Sequence, residues 1–258
     1  TRQESEFRRQ SQLRLERSER RLAEVSSSKS AFLNYLAHEL RNPLTAIRGT
    51  AELLALPPGS RSASDVSVRP IHEGVESIQQ LLNQVLEFGK AESREILPKW
   101  EMVDLHTFLQ SLSANGIALS AGTPLTFRMG SKIPATSWRG DPHLTRQVLL
   151  NLLDNAFKYT ERGEIQLRVA IEGEEILCFE VEDSGIGIHK ELLNEIFKPF
   201  VRLEQDHQKH VRGTGLGLAI VQQLTRAIQG TLNVESSPGR GTIVALRIPL
   251  RPKENLPS

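Results

Sequence analysis

Four short constellations in this 258-residue chain carry side chains that could do chemistry. The first is Leu36-Ala37-His38-Glu39-Leu40-Arg41-Asn42-Pro43-Leu44. A neutral imidazole is a competent nucleophile at pH 7, and the adjacent Glu39 can take the proton that it gives up on attack. His38 and Asn42 are four residues apart and share one face of a helix. The second runs from Asn151 to Tyr159, with Asn151, Asn155 and Lys158 on one polar helix face opposite Val148, Leu149 and Leu152. Amide oxygens are hard ligands suited to magnesium, and a lysine can reach a phosphate.

The third, Asp183-Ser184-Gly185-Ile186-Gly187, directly follows an alternating strand pattern. A carboxylate at a strand end can accept a hydrogen bond from an adenine amino group, and the glycines allow close backbone approach. The fourth is Gly213-Thr214-Gly215-Leu216-Gly217, opening a helix whose first amides form an anion site. It is not the six-residue dinucleotide fingerprint and precedes no βαβ unit, so a Rossmann reading is rejected. Between these two lie Phe197-Lys198-Pro199-Phe200-Val201-Arg202 and a polar stretch over 204–212 that reads as a lid over a nucleotide. His207 and His210 within it have few acceptor neighbours and read as solvated. Each constellation alone has a plain alternative: a surface histidine, a solvated helix face or an ordinary turn.

Positioning these residues requires two kinds of element. Leu15, Leu22, Val25, Phe32 and Leu36 form a thin heptad seam in a highly charged N-terminal stretch, half of a dimeric coiled coil. The apolar pattern continues through Leu40, Leu44, Ile47, Ala51 and Leu54, and Leu56-Pro57-Pro58-Gly59-Ser60 stops it. Pro43, inside that helix, predicts a local bend. A second seam follows at Ile71, Val75, Ile78, Leu82 and Val85. Two such helices make an antiparallel hairpin with too narrow a core. Two hairpins make a four-helix bundle, so burial alone implies a homodimer.

After about Glu95 the pattern becomes mixed. Strands are predicted over 100–105, 125–129, 164–171, 176–182, 231–235 and 242–248. Helices are predicted from a cap at Asp104 to about Ala114, from the Asp141-Pro142 cap to about Tyr159, and over 216–228. This is an α+β pattern with helices on one face of a sheet. The tail after Pro252 reads as disordered.

Composition excludes several classes. With 32 basic and 31 acidic side chains, no net field draws the chain to nucleic acid or to an acidic membrane. The single Cys178 excludes an intrachain disulfide and a multi-cysteine zinc site. No apolar run approaches the roughly 20 residues that span a bilayer, and no signal peptide opens the chain. The expectation is a cytoplasmic location, whether as a soluble protein or as the cytoplasmic part of a membrane-anchored one.

The four constellations, in this order, resemble those of the sensor histidine kinases of two-component systems. The His38 segment looks like their phosphoacceptor box and Asn151–Tyr159 like the asparagine box. Asp183–Gly187 and Gly213–Gly217 look like the two glycine boxes, and Phe197–Phe200 like the phenylalanine box between them. Gly239–Thr242 resembles the short glycine element near the domain end. The resemblance covers about residues 28–250.

It implies a dimeric helical hairpin followed by a Bergerat-type (GHKL) α/β sandwich that binds ATP. The implied divisions are a coiled-coil signalling helix over 1–27, a dimerisation and histidine phosphotransfer domain over 28–95, a hinge at 96–99, a catalytic ATP-binding domain over 100–250 and a tail over 251–258. It assigns His38 as phosphoacceptor, Glu39 as its acid–base partner and Asn42 as the residue that orients water for dephosphorylating a partner. It assigns Asn155 as the Mg2+ ligand assisted by Asn151, and Lys158, Tyr159 and Arg202 as contacts to the nucleotide phosphates. Asp183 takes adenine beside Gly185 and Gly187, and the loop Gly213, Thr214, Gly215, Leu216 and Gly217 holds the triphosphate. The implied partners are a second copy, a response-regulator receiver domain and an upstream sensor domain absent from this chain. The rival readings are a GHKL-fold ATPase and a degenerate ATP-binding scaffold. The ATPases place a glutamate four residues before the magnesium asparagine, where this chain has Asn151.

Overall fold

The computed structural model describes residues 36–37, 39–55, 67–92, 96–131, 133, 137–173, 175–199, 201 and 215–252. They fall into two compact units with a boundary between Asn83 and Gln84. The N-terminal seam, His38, the Pro57-Pro58 turn and the lid stretch lie outside the described residues.

In the first unit, helix α1 covers 39–55 and runs through Pro43; helix α2 spans Arg69–Glu92, and its residues from Gln84 on belong to the second unit. Ser67 caps α2 by accepting from Arg69 N–H at 3.2 Å, and Arg69 pairs with Glu73 one turn on. The two helices touch where Gly74 faces Ile47. A Cβ on Gly74 would sit 2.7 Å from Ile47 Cγ1 and 3.2 Å from the Pro43 carbonyl oxygen. Glycine inside a helix costs about 1 kcal/mol relative to alanine, and here it permits that close approach. Leu44, Val75 and Leu82 of the predicted seams remain exposed, as do Leu53 and Leu86 beside them.

The second unit is built on a five-stranded sheet in the order β2-β4-β5-β7-β6. Its strands are β2 (Leu125–Ser131), β4 (Gly163–Glu172), β5 (Ile176–Asp183), β6 (Thr231–Ser236) and β7 (Thr242–Pro249). β2 and β4 are parallel and the other pairs are antiparallel. A separate antiparallel pair joins β1 (Glu101–Asp104) to β3 (Ser137–Gly140). Helices α3 (Leu105–Ser120), α4 (Pro142–Tyr159) and α5 (Gly217–Ala227) complete the unit.

Strand alternation separates the two faces of the sheet. Val169, Phe179 and Leu246 stand in register on the buried face, as do Leu167, Val181 and Val244. On the opposite face Arg168 pairs with both Glu180 and Glu182, and Arg247 pairs with Glu172 at 2.8 Å. Cys178 shares that face but is buried, which pushes its thiol up to about 11. The helical layer supplies Leu149, Leu152 and Leu153 from α4 and Ile220, Val221 and Leu224 from α5. Phe108 of α3 stacks edge-on against Trp138 of β3, with ring centroids 5.2 Å apart.

Two features differ from the sequence expectation. α3 runs to Ser120 rather than stopping near Ala114. Any side chain at Gly116 would overlap the Phe127 ring, so this glycine seats the later turns of α3 on β2. Strand β3 was not anticipated. Its four residues carry no long alternation, and the strand forms through pairing with β1 and a bond from Arg139 N–H to the Leu250 carbonyl at 3.1 Å.

Candidate nucleotide site and phosphoacceptor helix

The polar face of α4 is held by its opposite, apolar face. Val148, Leu149, Leu152, Leu153 and Ala156 are buried, leaving Asn151, Asp154, Asn155 and Lys158 half-buried. The helix starts at Asp141, whose carboxylate accepts from Leu144 N–H at 2.9 Å, with Pro142 as its first residue. Asn151 donates its amide N–H to the Gln147 carbonyl at 2.9 Å. Its Oδ1 points toward α5, 3.5 Å from where a Cβ on Gly217 would lie. Lys158 is paired with Asp154 one turn back at 2.5 Å, so a phosphate must compete with that carboxylate for it. Sequence reading passed over Asp154, although its i,i+4 spacing to Lys158 was the available signal.

The C-terminal end of α4 meets the Asp183 loop. Ile186 N–H donates to the Tyr159 carbonyl at 3.3 Å, and Asp183 Oδ1 accepts from Gly185 N–H at 2.8 Å. Burial holds the Asp183 carboxyl above the usual carboxylate range, opposed by the Gly185 and Thr242 amides. Any side chain at Gly185 would overlap the Tyr159 carbonyl oxygen, and its Cβ would lie 2.8 Å from both Asp183 Oδ1 and the Thr160 hydroxyl. Gly187 has φ +68° and lies against the Ser237 carbonyl; Gly241 has φ +83° and lies against the Asp183 carbonyl. Gly239 N–H donates to the Ile186 carbonyl at 2.7 Å. Ser236 Oγ accepts from Ile188 N–H at 2.8 Å and lies 2.9 Å from Thr242 Oγ1. The Asp183 loop is thereby fastened to the β6–β7 turn. Ser236 carries no separate signal for that role in the sequence.

The fourth constellation is described from Gly215 onward. Gly215 has φ +69°, Leu216 is fully buried, and α5 begins without a side-chain cap. Its first amides are unpaired within the helix and suit an anion. These features fit a nucleotide with a magnesium ion: hard amide oxygens on α4, an acceptor for a base amine at Asp183, glycine where a side chain would intrude, and an uncapped helix start. Arg202, Gly213, Thr214 and Phe200 lie outside the described residues.

In the first unit, Glu39 is half-buried and Asn42 exposed on α1, and Thr45 bonds back to the Arg41 carbonyl at 2.8 Å. Ala37, Leu40, Arg41, Leu44, Ile47 and Arg48 line a shallow groove of about 520 Å³ on this helix. Among the described residues no group of three or more His, Cys, Asp or Glu forms a metal cluster, and no helix is long and apolar enough to cross a membrane.

Two family models match the chain. The His Kinase A (phospho-acceptor) domain matches residues 28–94, and the histidine kinase-, DNA gyrase B- and HSP90-like ATPase domain matches residues 140–252. The sensor protein TorS of Escherichia coli (strain K12) is 38% identical over 231 residues, covering 88% of this chain and 24% of TorS. The aerobic respiration control sensor protein ArcB of the same strain is 31% identical over 235 residues, covering 88% of this chain and 29% of ArcB. This chain therefore spans about a quarter of the length of these relatives. The solved structure of full-length ShkA in complex with AMPPNP is similar with a TM-score of 0.61 and 28% identity, covering 84% of this chain and 45% of ShkA. With both domains matched in sequence order, the chain belongs to the sensor histidine kinases of two-component systems.

Proposed function

We propose that this chain is the kinase core of a two-component sensor. It transfers the γ-phosphoryl group of ATP to its own His38 and then to an aspartate of a response-regulator receiver domain. The observation that carries this reading is the junction of three motifs in the second unit. The amide face of α4 borders the start of α5 at Gly217, and its C-terminal end is bonded to the Asp183 loop.

Asp183 accepts from the adenine amine, and the missing side chain at Gly185 lets the base lie close. The α5 amides and the Gly213–Gly217 loop cradle the phosphates, with Lys158, Tyr159 and Arg202 as further contacts. Asn155, assisted by Asn151, holds Mg2+, which when bound neutralises phosphate charge. The imidazole of His38 forms an N–P bond as the bond to the leaving ADP oxygen breaks, and Glu39 takes the imidazole proton. Residues 28–95 act as the phosphotransfer domain and 100–250 as the catalytic one. Transfer brings the two together about a hinge at 96–99.

Leu44, Leu82 and Leu86, each more than half exposed in one chain, favour a second copy as their cover. The receiver-domain partner is supported by a fold match, at 21% identity, to a kinase solved in complex with a response regulator protein. Asn42, exposed on α1, orients water for dephosphorylating that partner. A cytoplasmic site of action and an upstream sensor follow from the same reading.

The rival GHKL ATPase requires a base to activate water, and the amide of Asn151 is a poor one. Incubation with γ-³²P-ATP separates the two. The kinase reading predicts an acid-labile, base-stable label on the protein. Free phosphate with unlabelled protein would support the ATPase.

A further inference from the structure

Two aspartates cap helices in the second unit, and they are bonded differently. Asp104 caps α3 through one oxygen, accepting from Thr107 N–H at 2.7 Å, and its surroundings are open to solvent. Asp141 caps α4 through Oδ1, and its Oδ2 accepts from the backbone N–H of Lys99 at 2.7 Å, 42 residues away in sequence. Asp141 is only 4% exposed. A helix cap needs one acceptor, which serine, threonine or asparagine supplies equally well. The second oxygen serves Lys99.

Lys99 is the last residue of the segment assigned above as the hinge. The chain beyond it is strapped down again. Glu101–Asp104 pairs with Ser137–Gly140, in the register Glu101 to Gly140, immediately before Asp141. Arg139 of that strand is bonded in turn to Leu250. Upstream of Lys99, Leu97 is 85% exposed. The immobile part of the linker therefore begins at Lys99, on the residue that starts α4. Asn151, Asn155 and Lys158 project from the same rod, with Asn155 about 20 Å along it from Asp141.

We infer that Asp141 is a positioning residue for phosphoryl transfer: by bonding Lys99 and Leu144 at once, it joins the end of the linker to the helix that carries the phosphate and magnesium ligands. Motion at the hinge then moves that helix as a rigid body. Without the bond, nucleotide still binds, but its γ-phosphoryl group is delivered less accurately. This inference rests on the kinase reading.

Two variants test it from opposite sides. Asp141→Asn keeps an oxygen for the Leu144 cap and turns an amide donor toward Lys99 N–H. Lys99→Pro removes the N–H and leaves Asp141 and its cap intact. Both are expected to bind an ATP analogue within about two-fold of wild type. Both are expected to autophosphorylate about ten-fold or more slowly at saturating ATP, because misplacement by about an ångström costs up to about 100-fold. The double variant should be no slower than the worse single one, because both remove one interaction. In ATP-free Asp141→Asn, the Lys99 amide should exchange with solvent faster while the α4 amides keep their protection. Unchanged autophosphorylation with a freely exchanging Lys99 would overturn the inference, as would nucleotide affinity falling in step with the rate. A wild type that takes no label would refute the kinase reading instead, and Lys99 exchange would still report on the bond.

Discussion

The two units differ in how much apolar surface one chain can cover. In the second, Leu149, Leu153, Ile165, Leu167, Phe179 and Leu246 are fully buried between sheet and helices. In the first, Gly74 is the one buried residue among those described in residues 36–83, while Leu44, Val75 and Leu82 are exposed. Both helices of the hairpin are formed. What they lack is a third layer. A sheet with helices on one face encloses its own core, whereas a two-helix hairpin leaves half of each seam open. On the proposed reading, the second unit holds the nucleotide by itself and the first is completed by another chain.

The sharpest way to break this contrast is to charge the open seam. Leu82→Asp together with Leu86→Asp should raise the dimer dissociation constant by about 100-fold or more, since burying unpaired carboxylates costs several kcal/mol. Sedimentation velocity reads the change, and ATP-analogue affinity should stay near the wild-type value. A double variant that remains dimeric would mean the seam is not the interface.

An effect of similar size belongs to the second unit. Gly241 has φ +83°, and a Cβ there would overlap the Asp183 carbonyl. Gly241→Ala should cost about 3 kcal/mol through backbone strain and that overlap. Thermal unfolding should show the loss together with weakened nucleotide binding, while the dimer persists.

How much of this was legible follows the same division. The sheet strands and α4 were readable because alternation, a 3.6-residue period and the Asp141-Pro142 cap are local signals. The constellations at Asn151–Tyr159 and Asp183–Gly187, each ambiguous alone, stood out in the sequence as a set through their order along the chain. The junctions were not. That Tyr159 accepts from Ile186, that Gly239 donates to Ile186, and that Ser236 holds Ile188 depends on contacts across long stretches of chain. α3 was ended too early, near Ala114, because what seats its last turns, the fit of Gly116 against the Phe127 ring, lies on another element. Asp141 was legible as a cap, but its second oxygen had no sequence signature.

Asp183 links stability to function within the second unit. Its folded-state carboxyl is raised by burial, so the charged form is disfavoured on folding. The stability it contributes is therefore full below the carboxyl's unfolded pKa and is lost as pH rises through the folded value. Asp183→Asn should be more stable than wild type at pH 7, with the difference shrinking as pH falls through the carboxylate range. It should bind ATP poorly at both ends, because the amide's donor cannot replace the lost acceptor charge. Denaturant titrations at several pH values check the first part and calorimetric binding the second. Equal stability at neutral pH would contradict the burial argument.

The smallest expected effect sits at the end of α5. Gln229 adopts φ +57°, a left-handed conformation that glycine takes without steric cost. Gln229→Gly removes that backbone cost, about 1 kcal/mol or slightly less, together with whatever the side chain itself contributes, so the net change in stability should stay within about 1 kcal/mol. It should leave both the dimer and nucleotide affinity unchanged, with the melting temperature as the readout.

The central claim is that the chain carries a phosphoryl group from the nucleotide held in its second unit to one imidazole in its first. Mass spectrometric mapping of the full chain after brief exposure to Mg-ATP, kept at alkaline pH, tests it most directly. Phosphate should be found on His38, and both His38→Gln and Asn155→Ala should abolish it. A wild-type protein that binds ATP yet carries phosphate on another residue, or on none, would contradict the account.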